Sequence, residues 1–146
     1  MNPVPDILHD VWIQSKVEDV FRGVATPTGL DRWWTLKSVG TPAVGNTYEL
    51  WFGPRFDWRA KVTACQMHLE FELELTDALP DWVGSRVRFE LEPRDGGTCL
   101  HFSHRGWPAI SEHYRVSTFC WAMYLRILRR YIEYGETVPY TDRLSA

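Results

Sequence analysis

Histidines are the side chains in this sequence best able to move a proton or hold a metal ion. There are five, and two of them, His101 and His104, form an H-x-x-H pattern. Residues three apart on a β-strand point to opposite faces, so these two imidazoles cannot share one ion. His68 is predicted to point outward and His113 to lie on a helix. No cysteine or carboxylate cluster has ligand spacing along the sequence, so we predict no metal site.

His104 is the histidine best placed for chemistry inside a core. The strand register given below turns it inward, beside Val87 and near the last helix. There it can donate a hydrogen bond to a ligand oxygen or act as a general acid or base. The alternative is a structural histidine bonded to a backbone carbonyl, or to Tyr114 or Tyr124. Both interpretations stay open at this point.

Aromatic side chains are unusually frequent, with eight Trp, six Tyr and seven Phe. Such residues fill cores, but they also line sites for flat or apolar ligands. Five tryptophans either ring the mouth of a cavity or belong to the core: Trp33, Trp34, Trp58, Trp107 and Trp121. For an apolar ligand we predict ten contacting residues, namely Trp33, Tyr48, Phe56, Trp58, Phe71, Phe89, His104, Tyr114, Trp121 and Tyr124.

Other chemistries have no signature in the sequence. Glu70, Glu72 and Glu74 resemble an acidic cluster, but they alternate with apolar residues, which predicts a charge ladder facing solvent. There is no G-x-S-x-G, P-loop, G-x-G-x-x-G or C-x-x-C motif. We therefore predict neither a catalytic nucleophile nor a cofactor.

Composition narrows the class of protein. Hydrophobic residues make up 45% and charged residues 24%, as in globular proteins, and the net charge of -3 comes with no basic stripe for nucleic acid. No apolar run approaches the length of a membrane span, and residues 1–6 lack the features of a secretory signal. Cys65, Cys99 and Cys120 are widely spaced, which is typical of free thiols in a reducing compartment. We expect a cytoplasmic protein.

The first part of the chain is predicted to form a strand and two short helices. The strand runs from Ile7 to Ile13. Ser15 and Glu18 form a capping box that predicts the start of a helix, which Thr26-Pro27-Thr28-Gly29 ends. A second short helix is predicted from Leu30 to about Thr35.

From Thr47 to about Gly106 apolar and charged residues alternate, which predicts strands with one face in the core. One strand is predicted to turn Leu69, Phe71, Leu73 and Leu75 inward. Asp95-Gly96 predicts a type I′ turn that sets Phe89 opposite Phe102 and Val87 opposite His104. Charge complementarity across the outer face predicts four more pairs: Glu74–Arg86, Glu72–Arg88, Lys61–Glu72 and Arg59–Glu74.

The last segment predicts a helix from Pro108 to Gly135, about 40 Å long at roughly 1.5 Å per residue. Its apolar face is predicted to consist of Ile110, Tyr114, Ser117, Trp121, Leu125, Leu128 and Ile132. An antiparallel sheet with one apolar face needs such a cover. The predicted fold is therefore a single α+β domain over residues 1–146, with a curved antiparallel sheet wrapped around the long C-terminal helix.

This order of elements resembles the START-like (SRPBCC) helix-grip superfamily, which includes the birch-pollen-allergen proteins and the polyketide cyclases. The closest resemblance is to the branch named after activators of the heat-shock protein 90 ATPase. Three stretches carry it: Val20-Phe21-Arg22-Gly23-Val24-Ala25-Thr26-Pro27 through Leu30-Asp31-Arg32-Trp33-Trp34; Phe102-Ser103-His104-Arg105-Gly106-Trp107; and Trp121 through Leu125 to Leu128. The resemblance implies the fold across nearly the whole chain and says little about a substrate.

Three functions are compatible with these observations. The leading hypothesis is a protein that binds or carries a hydrophobic small molecule between sheet and C-terminal helix. The second is a cofactor-free enzyme of the cyclase or dehydratase kind, in which His104 moves a proton. The third is a protein-interaction module related to chaperone regulation, although no residue observation supports a chaperone partner. The resemblance also makes a homodimer an expectation, since helix-grip domains often pair.

Overall fold

The computed structural model describes residues 3–146, so Met1 and Asn2, at the start of the segment considered for a secretory signal, lie outside it. The strands are β1 (Ile7–Ile13), β2 (Lys37–Val39), β3 (Thr47–Trp51), β4 (Asp57–Gln66), β5 (Glu70–Asp77), β6 (Arg86–Arg94) and β7 (Gly97–Arg105). The helices are α1 (Val17–Ala25), α2 (Pro27–Leu30), α3 (Glu112–Tyr134) and a C-terminal 3-10 helix (Tyr140–Ser145). Within these residues no helix has the length and apolar character that a membrane span requires.

The seven strands form one curved antiparallel sheet in the order β1-β7-β6-β5-β4-β3-β2. Inward residues of β3 to β7 are buried, including Leu50, Val62, Leu73, Phe89 and Phe102. α3 packs against β1, and α1 packs against β5, β6 and β7. The predicted α+β fold, a sheet wrapped around a long C-terminal helix with two short helices after the first strand, is confirmed.

The hairpin of β6 and β7 has the predicted register. Phe89 pairs with Phe102 and Val87 pairs with His104. The turn places Asp95 at φ 52° and Gly96 at φ 77°, the left-handed conformations that a type I′ turn requires. The predicted pairs Glu72–Arg88 and Glu74–Arg86 also form between β5 and β6. Turn chemistry and charge complementarity therefore predicted the register of β5, β6 and β7 correctly.

The predicted register between β4 and β5 is wrong. Lys61 pairs with Glu74 instead of Glu72, and Arg59 pairs with Asp77 instead of Glu74. One register shift leaves an extra residue in β5, between Leu75 and Asp77, and the other leaves an extra residue in β4, between Val62 and Ala64; charge alternation reveals neither.

The turn between β4 and β5 also differs from the prediction. Leu69, predicted to point inward, lies in this turn and is 46% exposed. His68, predicted to point outward, is half-buried with its ring edge-on to Phe21, 5.7 Å between centroids. His68 adopts φ 68°, so the backbone reverses there and breaks the alternation.

The two N-terminal helices begin and end differently from the prediction. No capping box forms, because Lys16 is the N-cap of α1 and the Ser15 hydroxyl donates to Asp19 Oδ2 at 3.1 Å. The predicted helix from Leu30 to Thr35 is also wrong, since α2 occupies Pro27–Leu30 and turns follow it. Thr26 caps α2, accepting a hydrogen bond from the Gly29 amide at 3.1 Å, and Pro27 suits the first helical turn.

α3 is shorter than predicted at its start. Ser111 is the N-cap and accepts from the Tyr114 amide at 3.1 Å, so Pro108 to Ile110 precede the helix. Ile110 is consequently 51% exposed, although it was assigned to the apolar face. The helix ends as predicted, with Gly135 in the left-handed conformation at φ 68°.

Candidate ligand-binding site

A cavity of about 230 Å³ lies between α3 and the end of the sheet formed by β3 and β4, and it opens to solvent. Its walls come from the turn after α2, the β3–β4 connection, the start of β4, the β5–β6 connection, α3 and the C-terminal 3-10 helix. The lining is mainly aromatic: Trp34, Phe52, Phe56, Trp58, Leu79, Trp82, His113, Val116, Ser117, Cys120, Trp121, Tyr124 and Tyr140.

The aromatic rings of the cavity pack against one another. Trp82 stacks on Trp121 with 5.8 Å between centroids and 19° between planes, and Trp58 contacts Trp82 at 5.0 Å. Phe52 continues the wall from Trp58 at 4.9 Å, and Trp34 closes it against Trp121 at 5.1 Å. These contacts hold the side chains in place without a ligand, so the cavity is preformed.

Local sequence explains how α3 and the β3–β4 turn present their side chains. In α3, Ser117, Cys120, Trp121 and Tyr124 lie three, four and seven residues apart, which puts them on one helical face. In the turn, the Phe52 amide donates to the Phe56 carbonyl at 2.9 Å, and this backbone bond brings both rings to the cavity.

Several polar groups reach this apolar space. Burial raises the pKa of Tyr124 to about 12, so its hydroxyl stays protonated and can donate or accept. His113 stacks on Trp82 with 17° between ring planes, and its Nδ1 lies 3.7 Å from Asp81 Oδ2. Trp82 Nε1 is buried and has no hydrogen-bond partner among the described residues. This nitrogen is enclosed by protein atoms, so it does not face the open space.

His104 lies behind this wall and not in it. Trp121 Nε1 donates to His104 Nδ1 at 3.1 Å, so the ring proton must be on Nε2. Nε2 in turn donates to Ser85 Oγ at 2.7 Å, and the Ser85 hydroxyl donates to the Trp82 carbonyl at 2.6 Å. Desolvation lowers the pKa of His104 to about 3. The imidazole is fully buried, neutral and hydrogen-bonded at both nitrogens.

The structure brings part of the predicted ligand-binding set to the cavity. Phe56, Trp58, Trp121 and Tyr124 line it. The other six predicted residues do not: Trp33, Tyr48, Phe71, Phe89 and His104 are fully buried in the core, and Tyr114 is half-buried against Trp107. Inward direction in a strand was a good guide to burial, but most inward positions are covered by α1 and α3 and leave no open space.

Residues outside the regular strands complete the cavity. Trp82 lies in the β5–β6 connection and Tyr140 in the C-terminal 3-10 helix, where no periodic pattern marks a direction. Val116 and Cys120 lie on α3 beside Trp121 and Tyr124, but the helical spacing had not placed these two residues on the apolar face. The available signal was the frequency of Trp itself, which predicted an aromatic site without saying which residues form it.

Metal-capable side chains meet elsewhere, on the outer face of the sheet. Glu92, Cys99 and His101 each place one donor atom within 4.8 Å of the others. His101 and His104 do point to opposite faces, as expected for residues three apart on a strand. Spacing along one strand cannot reveal a set of ligands that forms across strands, so the sequence did not predict this cluster.

Sequence comparison places the chain in a family. Residues 14–133 match the family model described as activator of Hsp90 ATPase homolog 1-like protein. The chain belongs to this family. The resemblance deduced from the motifs is therefore confirmed. Among proteins with curated descriptions, none matches the sequence.

Solved structures support the same assignment. The Aha1 dimer from Colwellia psychrerythraea is 25% identical, with a TM-score of 0.83 over 91% of this chain and 99% of that one. Protein BH1534 from Bacillus halodurans is 23% identical, with a TM-score of 0.77 over 91% and 100%. CalU16 from Micromonospora echinospora is 20% identical, with a TM-score of 0.74 over 99% and 86%. The similarities to BH1534 and to CalU16 concern the fold alone.

Proposed function

We propose that this protein binds a small apolar molecule containing an aromatic ring, held between α3 and the β3–β4 end of the sheet. The observation that carries the proposal is the preformed cavity of about 230 Å³ with a wall of packed indole and phenyl rings. Preformed apolar concavities with a few polar groups are the usual form of small-molecule sites. Family membership is compatible with this proposal but does not name a ligand.

The size of the cavity limits the ligand. Cavities of about 150 Å³ accommodate benzene, and sites for drug-sized molecules begin at about 300 Å³. A space of about 230 Å³ therefore suits one or two rings, or the ring at the end of a longer molecule whose remainder extends into solvent. A fully enclosed lipid chain or four-ring polyketide does not fit this space.

Polar groups of the wall would orient the ligand. The Tyr124 hydroxyl and the buried Ser117 hydroxyl can each donate or accept one hydrogen bond. A phenol or aromatic ketone matches this set, because its ring is apolar and its oxygen has lone pairs.

The enzymatic alternative gains no support at His104. A general acid or base must reach the substrate and exchange a proton near neutral pH. His104 is 0% exposed, both of its nitrogens are occupied, and its pKa of about 3 keeps it neutral. His104 instead supports two indoles of the cavity wall, Trp82 and Trp121, from behind, and it also contacts Trp107.

Calorimetric titration with β-naphthol, a two-ring phenol, tests the proposal. The Cys120→Phe variant fills the space that the Cys120 side chain borders and should weaken binding about tenfold or more. Cys120→Ser keeps the volume nearly unchanged and is the matched control, so it should bind as the unaltered protein does. Equal affinities for the Phe and Ser variants, with both folded by circular dichroism, would place binding elsewhere. Absence of binding to the unaltered protein would reject the proposed ligand class.

Association of two copies is a second proposal, supported by the Aha1 relative from Colwellia psychrerythraea, whose solution structure is a dimer. On α3, Val116 is 51% and Phe119 60% exposed, which gives a second copy an apolar face to cover. Sedimentation equilibrium should show a dimer that Phe119→Ser weakens. Leu8→Ser, at the equally exposed outer position of edge strand β1, should leave it intact. A monomer at all concentrations would reject this proposal.

We also propose a cytoplasmic location. Cys65, Cys99 and Cys120 are all free thiols, and such thiols persist in a reducing compartment. Fractionation of cells that produce the protein should recover it with cytoplasmic markers. Recovery with the periplasmic or extracellular fraction would contradict the proposal.

A further inference from the structure

The outer face of the sheet carries a cluster that the cavity and the ligand do not use. Glu92 of β6 and Cys99 of β7 are directly paired across the hairpin. His101 lies two residues further along β7 on the same face and pairs with Asp10 of β1. Three neighbouring strands thus contribute a carboxylate, a thiol, an imidazole and a second carboxylate to one place.

The atoms of this cluster are already close to the arrangement of a metal site. The donor atoms of Glu92, Cys99 and His101 all lie within 4.8 Å of one another, and His101 Nε2 is 2.9 Å from Glu92 Oε1. Donor atoms around a tetrahedral zinc ion lie about 3–4 Å apart, given bonds of about 2.0–2.3 Å. Side-chain rotations that move the donor atoms by about 1 Å would therefore bring them to the distances of a zinc site, because the strand backbone already sets their spacing.

Asp10 gives this cluster an orienting contact outside the donor set. Its Oδ1 lies 2.8 Å from His101 Nδ1, so it accepts the Nδ1 proton and leaves Nε2 for an ion. A carboxylate that holds the far nitrogen of a ligating histidine is a recurrent feature of metal centres. The ion would replace the proton that His101 Nε2 shares with Glu92.

We propose that Glu92, Cys99 and His101 bind a zinc-class divalent ion, with Asp10 as the positioning residue for His101. A thiolate with an imidazole and a carboxylate selects zinc or cobalt over magnesium or calcium, which prefer oxygen ligands alone. Three protein donors leave the fourth position to a water molecule. Arg94, which contacts Glu92 Oε1 at 2.6 Å, must turn away, but this exposed ion pair contributes little energy.

Cobalt titration of the metal-free full-length protein tests the site. Cobalt bound through a thiolate gives a sulfur-to-cobalt charge-transfer absorption, which we expect to saturate at a single equivalent and to vanish when zinc is added. The band should be lost in Cys99→Ser and kept in Cys65→Ser and Cys120→Ser, whose thiols lie outside the cluster. A band that survives in Cys99→Ser, or no band at all, would overturn the proposal.

Two exposed carboxylates provide a comparison that does not depend on the folding of a cysteine variant. Glu92→Gln should weaken zinc binding about tenfold or more. Glu90→Gln should leave the affinity unchanged, because Glu90 faces His101 across the β6–β7 ladder but His101 Nε2 contacts Glu92. Asp10→Asn should weaken binding while the charge-transfer band persists at saturation, as expected for a positioning residue. Equal zinc affinities for the Glu90 and Glu92 variants would contradict the assignment.

Discussion

Trp121 donates its indole proton to Nδ1 of His104 at 3.1 Å, and this bond joins α3 to the inner face of β7. Because an indole nitrogen can only donate, the bond fixes His104 as the neutral tautomer with its proton on Nε2. The chain then continues through Ser85 to the Trp82 carbonyl. Two tryptophans of the cavity wall are thereby connected by a fully buried polar network.

Acidification should destabilise the protein through His104. Folding lowers the pKa of His104 from its ordinary 6.5 to about 3, so the unfolded chain binds the proton more tightly. The stabilising contribution is therefore present above pH 6.5 and is lost as pH falls from 6.5 toward 3. Between pH 7 and pH 5 the loss is about 2 kcal/mol. His101, whose pKa Glu92 and Asp10 raise, acts in the opposite direction, so the slope should appear as the difference between the unaltered protein and His104→Gln in urea unfolding at several pH values.

Removal of the Ser85 hydroxyl should destabilise the protein, because it leaves the buried hydrogen-bond network incomplete. Ser85→Ala leaves the buried His104 Nε2 proton without its acceptor, whereas the Trp82 carbonyl keeps the Ser85 amide at 2.9 Å, and the loss should lower the free energy of unfolding by about 1–3 kcal/mol. Ser103→Ala, on the outer face of β7, is the matched control and should change stability by less than about 0.5 kcal/mol. Equal losses in both variants would show that the network contributes nothing specific.

Arg143 should hold the C-terminal 3-10 helix against the cavity. Its guanidinium is buried and donates to the carbonyls of Asp31 at 2.6 Å, Thr35 at 3.0 Å and Val138 at 3.2 Å. Arg143→Ala should lower the free energy of unfolding by about 2–4 kcal/mol.

Amide hydrogen exchange provides the local readout for Arg143→Ala. Exchange should accelerate in residues 137–146, and β-naphthol affinity should fall because Tyr140 no longer closes the wall. Arg129→Ala, on the exposed side of α3, should change neither quantity. If both variants behave alike, the buried guanidinium is not the anchor.

Cys120 should report whether the cavity is occupied. Its thiol borders the cavity, and burial raises its pKa, so alkylation by N-ethylmaleimide should be slow and slower still with bound ligand. Saturating β-naphthol should reduce the Cys120 alkylation rate several-fold in peptide mass spectra and leave Cys65, at the far end of β4, unaffected. Equal protection of both thiols would indicate general stabilisation in place of occupancy.

Sequence reasoning worked best where a local rule and a long-range rule agreed. The Asp95-Gly96 turn and the alternation of Phe89 and Leu91 both required one register of β6 on β7, and that register forms. The same register correctly predicted that His104 points inward. The prediction failed between β4 and β5, because the chain reverses over Met67, His68 and Leu69 instead of at Gln66-Met67, and no turn motif in the sequence marks that position.

The periodicity of apolar residues in the sequence could not predict the cavity, for a different reason. Alternation tells which face of a strand is covered, but not whether the covering helix leaves a gap. Phe71 and Phe89 are inward and fully buried, whereas Trp82 and Tyr140 reach the cavity from segments with no strand or α-helix period. Their directions depend on tertiary contacts such as the anchoring of Arg143, which a single sequence does not encode in any local pattern.

The position of β1 in the sheet has a consequence for how the chain folds. Among the described strands β1 pairs with β7 alone, and the contacting residues Asp10 and His101 are 91 positions apart in sequence. The β3–β7 meander can assemble from neighbours, but β1 must wait until β7 exists and then close a long loop. We therefore expect β1 to dock late in refolding, so that its amides gain protection after those of β6 and β7, and the first strand of the chain becomes the last to join the sheet.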